Sequence, residues 1–223
     1  MGYHVRMNLA ARYAKLEKRI AEACLRAGRE RESVHWIAVS KTFPAEAVLE
    51  LYQLGHRAFG ESRLQEAQQK IKILPPDIEW HFVGGLQSNK ARKIGNSFAM
   101  IHTLATESAL NELAKCEQKV PVLLEVNVAK EPQKSGILPE ALDTMIKACL
   151  KCQQVQLKGL MTIGPNSETP EESRPWFIQM RKLRDQHLPG GFLSMGMSAD
   201  FDVAIQEGAT HIRIGSLLFG ERL

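Results

Sequence analysis

Residues 34–44 read Val-His-Trp-Ile-Ala-Val-Ser-Lys-Thr-Phe-Pro. The first eight are a short apolar run, which predicts a strand over 34–41. Pro44 then opens a helix, because its fixed φ suits the first turn and its missing N–H has no intrahelical partner there. That helix is predicted through about residue 54, and Gly55 ends it. The turn between strand and helix decides the fold class. An open doubly wound sheet would carry a glycine fingerprint there to cradle a dinucleotide. Ser40-Lys41-Thr42-Phe43-Pro44 stands there instead.

Upstream, Leu9, Tyr13, Leu16, Ile20, Ala23, Cys24 and Ala27 recur at helical spacing, and Lys15, Glu17, Lys18, Arg19 and Glu22 fill the other face. This predicts an extra amphipathic helix over 9–27, with Gly28 as its C-cap. Downstream, strands are predicted over 57–61, 79–86, 100–104, 122–128, 156–163, 192–197 and 211–214. Helices are predicted between them, over 63–74, 89–94, 108–118, 138–151, 170–187 and 199–207, with a short turn after the last strand. Strands alternating with helices imply parallel pairing through right-handed crossovers. Eight such units close into a (β/α)8 TIM barrel, here with an extra N-terminal helix. No linker or low-complexity segment divides the chain, so 1–223 is expected to be one domain. The polar, proline-bearing stretch 164–173 is a loop.

The 223 residues are 44% hydrophobic and 24% charged, the balance of a folded soluble chain. A net charge of +4 without a long single-sign run gives no argument for nucleic acid. Lys90, Arg92 and Lys93 form a small basic cluster, read as a solvated helix face or as a place for a phosphate-bearing partner. The four cysteines are Cys24, Cys116, Cys149 and Cys152. Cys149 and Cys152 are a C-x-x-C with no second pair at metal-ligand spacing, so they are read as structural and no metal is expected. Free thiols fit a reducing compartment. Residues 1–6 (MGYHVR) show no signal-peptide core, and Arg6 stands where myristoylation wants Ser or Thr. No apolar run is long enough to span a membrane. The expectation is a cytoplasmic protein with no membrane partner.

In such a barrel, functional residues sit at the C-terminal ends of strands. Lys41 ends the first strand, on the same face as Val39 and Ile37. It is either a rim lysine reaching solvent or an amine in an apolar setting. Desolvation disfavours the charged form, and a neutral amine attacks a carbonyl to form an imine. On the eighth strand, Arg213-Ile214-Gly215-Ser216 places a glycine at the strand end and a hydroxyl after it. Glycine lets a backbone N–H approach an anion, and the last two loops are the usual phosphate site of these barrels. Ser198 is a second hydroxyl donor there, a helix N-cap, or both. Arg213 is a surface ion-pair partner, or a cation keeping a ring nitrogen unprotonated. A Schiff-base lysine opposite a phosphate cradle suits a phosphorylated aldehyde.

These motifs resemble the pyridoxal phosphate homeostasis family. The matching stretches are AVSKTFP (38–44), FGES (59–62), EWHFVGGLQSNK (79–90), KSG (134–136), GLMTIG (159–164), LSMGMSADF (193–201) and RIGSLLFGER (213–222). They cover most of the chain in order. The family is similar to the N-terminal barrel of alanine racemases and related decarboxylases. The resemblance implies pyridoxal 5'-phosphate as cofactor, with Lys41 carrying it as an internal aldimine. Ser198, Gly215 and Ser216 would bind the phosphate, Arg213 would face the pyridine nitrogen, and Met161 would line the pocket. Lys134 matches a lysine implicated in cofactor handling. Ser62 stands where the family usually has Asn, a shorter group beside the cofactor.

Three functions fit these residues: a carrier of pyridoxal phosphate, a racemase or decarboxylase of the same fold, and a cofactor-free Schiff-base aldolase. A two-base racemase needs groups on both faces of the cofactor. The chain runs to Leu223 without a further domain to supply one, and its tyrosines are Tyr3, Tyr13 and Tyr52. The reading is therefore a non-enzymatic, monomeric binder that stores pyridoxal phosphate or delivers it to apo-enzymes.

Overall fold

The computed structural model describes residues 9–220. The 1–6 stretch inspected for a leader, and Glu221 and Arg222 of the last motif, lie outside them. Eight parallel strands close into a barrel in chain order. They are β1 (His35–Val39), β2 (Ala58–Glu61), β3 (Glu79–Phe82), β4 (Met100–Leu104), β5 (Val120–Glu125), β6 (Val155–Met161), β7 (Phe192–Ser194) and β8 (His211–Ile214). β1 also pairs with β8, with Ile37 opposite Arg213 and Ala38 opposite Ile214. Closure therefore places the turn after β1 beside the turn after β8.

The helices lie outside the barrel: α1 (Leu9–Arg26), α2 (Ala45–Gln53), α3 (Leu64–Ile73), α4 (Ser88–Gly95), α5 (Glu107–Leu113), α6 (Leu142–Lys151), α7 (Arg174–His187), α8 (Phe201–Gln206) and α9 (Ser216–Phe219). The main apolar core fills the layer between sheet and helices, including Phe59, Trp80, Leu124, Phe177 and Phe201. Leu16, Ile20, Ala23 and Cys24 of α1 are buried in it, as their spacing predicts. The other face of α1 locks the first and last units together. Arg19 pairs with Asp202 at 2.6 Å, Arg12 donates to Leu218 O, and Trp36 Nε1 donates to Glu17 Oε1 at 2.6 Å.

Five predicted strands run too long at their C-terminal ends: the first stops at Val39, the third at Phe82, the fifth at Glu125, the sixth at Met161 and the seventh at Ser194. Val83 to Leu86 and Met195 to Met197 are apolar or glycine, but they leave the ladder and serve as loop walls. The predicted helix over 138–151 has a 3-10 turn, Pro139–Ala141, before α6. That over 170–187 has one at Pro170–Ser173 before α7. Among the described residues no helix is long and apolar enough to cross a membrane.

The barrel interior is polar on one side. His81 Nδ1 lies 3.0 Å from His102 Nε2, and His102 Nδ1 lies 2.9 Å from Ser194 Oγ. Burial holds His81 at about 4 and His211 at about 3, and pushes His102 well below its ordinary value. His56, stacked on Trp36, is lowered to about 4 by the same cause. All four stay neutral in the folded chain near pH 6 while the unfolded chain takes up protons. Stability is therefore full above about pH 6.5 and is lost as pH falls towards 4. Glu61 and Glu125, raised by burial, act in the opposite direction. The midpoint of thermal unfolding, followed by circular dichroism, should fall steadily from pH 7 to pH 4.5. A flat profile would contradict the neutral histidine cluster.

Candidate functional site

Lys41 follows β1 in a turn that is anchored on both sides. Ser40 Oγ donates to Glu61 Oε1 at 2.7 Å, and Ser40 N donates to Gly60 O. On the other side, Thr42 N donates to Glu66 Oε1 at 2.6 Å. Thr42 sits at φ +70°, a conformation that β-branched residues rarely adopt. Lys70 Nζ ties the anchors together. It donates to Glu61 Oε1 at 2.7 Å, Glu66 Oε1 at 2.9 Å and Ser40 O at 2.9 Å. Burial pushes the Glu61 carboxyl up, against the pull of Lys70. Burial also acts on Glu66, but Lys70 and the Thr42 N–H outweigh it and hold that carboxyl below its usual range. A strained backbone kept by a buried ion-pair network marks a turn whose geometry matters.

Lys41 lines a cavity of about 550 Å³ at the C-terminal mouth of the barrel. Ser198, Arg213, Gly215 and Ser216 line the same cavity. Its remaining walls include Val39, Phe43, Val83, Ile163 and Met197. Phe43 stacks on Phe219 at 4.6 Å, joining the turn after β1 to α9.

Ser198 does not cap the next helix. α8 begins at Phe201, and Asp200 occupies the N-cap position. Ser198 Oγ instead accepts from Gly215 N at 3.2 Å and Leu217 N at 3.4 Å. Two backbone donors and a hydroxyl thus converge at one point. Gly215 sits at an ordinary φ of −122°, and a Cβ there would make only ordinary contacts with Val39, its O at 3.6 Å and its Cβ at 3.8 Å. Backbone strain does not demand glycine here; its lack of a side chain leaves the N–H approachable from the cavity.

Arg213 is not a surface ion-pair partner. It is 5% exposed, and its guanidinium donates to Ser194 Oγ at 2.7 Å and Thr162 O at 2.9 Å. Both partners are neutral. Burial lowers its pKa to about 10, still far above neutrality, so it remains a cation at the cavity floor. Ser194 passes the contact on to His102 and His81.

Met161, Ser62 and Lys134 lie outside this cavity's lining. Met161 is fully buried inside the barrel, in register with Ser194, and does not line the cavity. Ser62 lines an adjoining cavity on the far side of the β3 end. Lys134 is held by Glu131 at 2.6 Å and donates to Gly164 O at 2.8 Å, tying the loop after β5 to the loop after β6. Cys149 is buried and its thiol is pushed up to about 12, the opposite of a reactive thiolate. Among the described residues no group of His, Cys, Asp or Glu could hold a metal ion.

The family model described as alanine racemase, N-terminal domain, matches residues 13–223. A pyridoxal phosphate homeostasis protein of Aquifex aeolicus is 42% identical over 97% of this chain and 99% of its own. The chain belongs to the pyridoxal phosphate homeostasis protein family. The structure of the family member PipY from Synechococcus elongatus with PLP bound has a TM-score of 0.78 at 39% identity, covering 92% of this chain and 100% of PipY. Alanine racemase from Bartonella henselae shares the fold alone, with a TM-score of 0.76 at 18% identity over 96% of this chain and 58% of the racemase.

Lys41, Ser198, Arg213, Gly215 and Ser216, which the sequence reading groups, line one cavity, but the residues that hold them carry little signal of their own. Ser194, Thr162 and Lys70 had no local signal beyond a hydroxyl ending a short strand and a Glu66/Lys70 pair at i,i+4 spacing. Removing Lys70 leaves Glu61 buried without its counter-charge, which costs about 3–5 kcal/mol. Lys70→Met should lower unfolding free energy by that order in urea titration, and Glu61→Gln/Lys70→Met should recover part of it. A single variant as stable as the parent would contradict this account of the turn.

Proposed function

We propose that this chain holds pyridoxal 5'-phosphate in the Lys41 cavity, and stores it or delivers it to apo-enzymes rather than catalysing a reaction. The observation that carries this is one cavity in which Lys41, the Ser198–Gly215–Leu217 cluster and Arg213 meet. The residues present fit the group. The N–H groups of Gly215 and Leu217 aim at an oxygen acceptor, the role a phosphate oxygen plays, with the Ser198 and Ser216 hydroxyls beside them. When bound, the cofactor supplies an aldehyde that a lysine amine can attack. Lys41 is the amine on that wall, and its anchored turn fixes where it reaches.

Arg213 gives the site its restraint. A permanent cation with neutral partners donates to a ring nitrogen and does not hand it a proton, so the ring stays a weak electron sink. Among the residues lining the cavity, only Lys41 and Arg213 are titratable. No carboxylate, histidine or tyrosine in that lining stands ready to move a proton on the face opposite Lys41. Attachment without a second base makes a storage bond. Curated relatives at 42% and 41% identity carry the homeostasis name, in line with this reading. The four free thiols suit a reducing, cytoplasmic setting, and we read the chain as a monomer.

Incubation with pyridoxal phosphate should give a yellow protein. Borohydride should bleach it and leave the reduced adduct on Lys41 in peptide mass spectrometry. Lys41→Ala should lose that adduct, and the yellow protein should not convert L-alanine to D-alanine at an enzymatic rate. An adduct mainly on another lysine, or brisk racemisation, would refute the proposal.

A further inference from the structure

A second cavity of about 490 Å³ adjoins the first across the end of β3. Val83 faces the Lys41 cavity, whereas Phe82 and Gly85 face this one. Three cations rim it: Arg63 just before α3, and Lys90 and Lys93 on α4. Lys90 and Lys93 are three residues apart and share a helix face, and Arg92 between them is not in the lining. Ser62, Gln65, Gln68, Gln87 and Asn89 add a hydroxyl and four amides, and no lining residue is a carboxylate. Glu66, which attracts Arg63 electrostatically, lies outside the lining and gives its Oε1 to Lys70 and to the Thr42 N–H. Leu64, Phe82 and Ile94, all buried, form an apolar floor. The first turns of α3 and α4, whose N-cap side chains make no capping bond, add partial positive charge to a cavity that its side chains already make cationic.

We propose that this cavity is a second, non-covalent binding site for a small phosphate monoester carried on a planar ring. Arg63 offers a planar fork to the phosphate, and the two lysines offer point charges. The amides suit ring heteroatoms and hydroxyls, and the apolar floor takes the ring. The volume is that of a small-molecule site and exceeds what a bare oxyanion fills. A nucleic acid would need a stripe of charge along a surface, whereas here the cations surround one hollow. The site stands independently of the reading of Lys41.

The test titrates the full chain with AMP, pyridoxine 5'-phosphate and inorganic phosphate while backbone amide NMR shifts are followed. Pyridoxine 5'-phosphate lacks an aldehyde and cannot attach to a lysine. One or both esters should shift amides over 62–65 and 85–94, and bind Lys90→Gln/Lys93→Gln roughly ten-fold or more weakly. Inorganic phosphate should bind more weakly than the ester. Binding of AMP alone would assign a purine nucleotide, and binding of pyridoxine 5'-phosphate alone a pyridine vitamer. Equal affinity in the double variant, shifts confined to the Lys41 cavity, or inorganic phosphate binding as tightly as both esters would overturn the proposal. Both lysines are exposed, so the variant should fold and take up pyridoxal phosphate at Lys41 as the parent does. Failure of that uptake in the parent would count against the Lys41 reading and leave this site standing.

Discussion

The backbone ladder between β1 and β8 is the contact on which the site depends. Its register sets Ala38 against Ile214 and so brings the residues after each strand side by side. Lys41 and the Gly215–Ser216 turn are more than 170 residues apart in the chain, yet they share one cavity because the barrel closes there. The Phe43–Phe219 stack and the clasp of α1 across the seam reinforce that closure from outside. An open sheet built from the same strands would leave Lys41 and the Gly215–Ser216 turn at opposite edges.

Burial then decides the chemistry on each side of the cavity. Arg213 donates to neutral hydrogen-bond partners, with the Asp200 and Glu125 carboxylates favouring its charge from further off, so the cavity retains a cation. Ser194 and the two histidines behind it hold that guanidinium without adding a counter-charge. At the neighbouring turn after β1, Lys70 concentrates one charge against two carboxylates and leaves the Lys41 turn little freedom. Backbone donors beside a positioned amine favour holding a ligand over transforming it.

Much of this was legible in the chain. The 100–104 and 211–214 strands stand as their patterns predict, because each is a compact apolar run ended by a polar or glycine signal. The 79–86 and 192–197 runs looked like longer strands because hydrophobicity cannot separate a sheet residue from a loop residue facing a cavity. Lys41 is picked out by its place at the end of the first strand and Arg213 by standing two residues before the glycine after the eighth, and the resemblance to a family implies their roles. Ser198 was read partly as a cap, since a serine just before a helix looks the same whichever N–H groups it serves. Ser62, which the resemblance sets beside the cofactor, lines the neighbouring cavity, and Met161, which it sets in the pocket wall, is buried in the barrel interior. The Lys70 network joins a helix to two strand ends, and no local pattern announces a contact of that kind.

The central claim is that the lysine turn after β1 and the donors after β8 serve one bound cofactor molecule. A crystal structure of the chain with pyridoxal 5'-phosphate tests this most directly. The account predicts the phosphate within hydrogen-bond distance of Gly215 N, Leu217 N and Ser198 Oγ, the ring nitrogen facing the Arg213 guanidinium, and the aldehyde carbon at Lys41 Nζ. A cofactor whose phosphate lies away from the turn after β8, or whose ring does not meet Arg213, would contradict it.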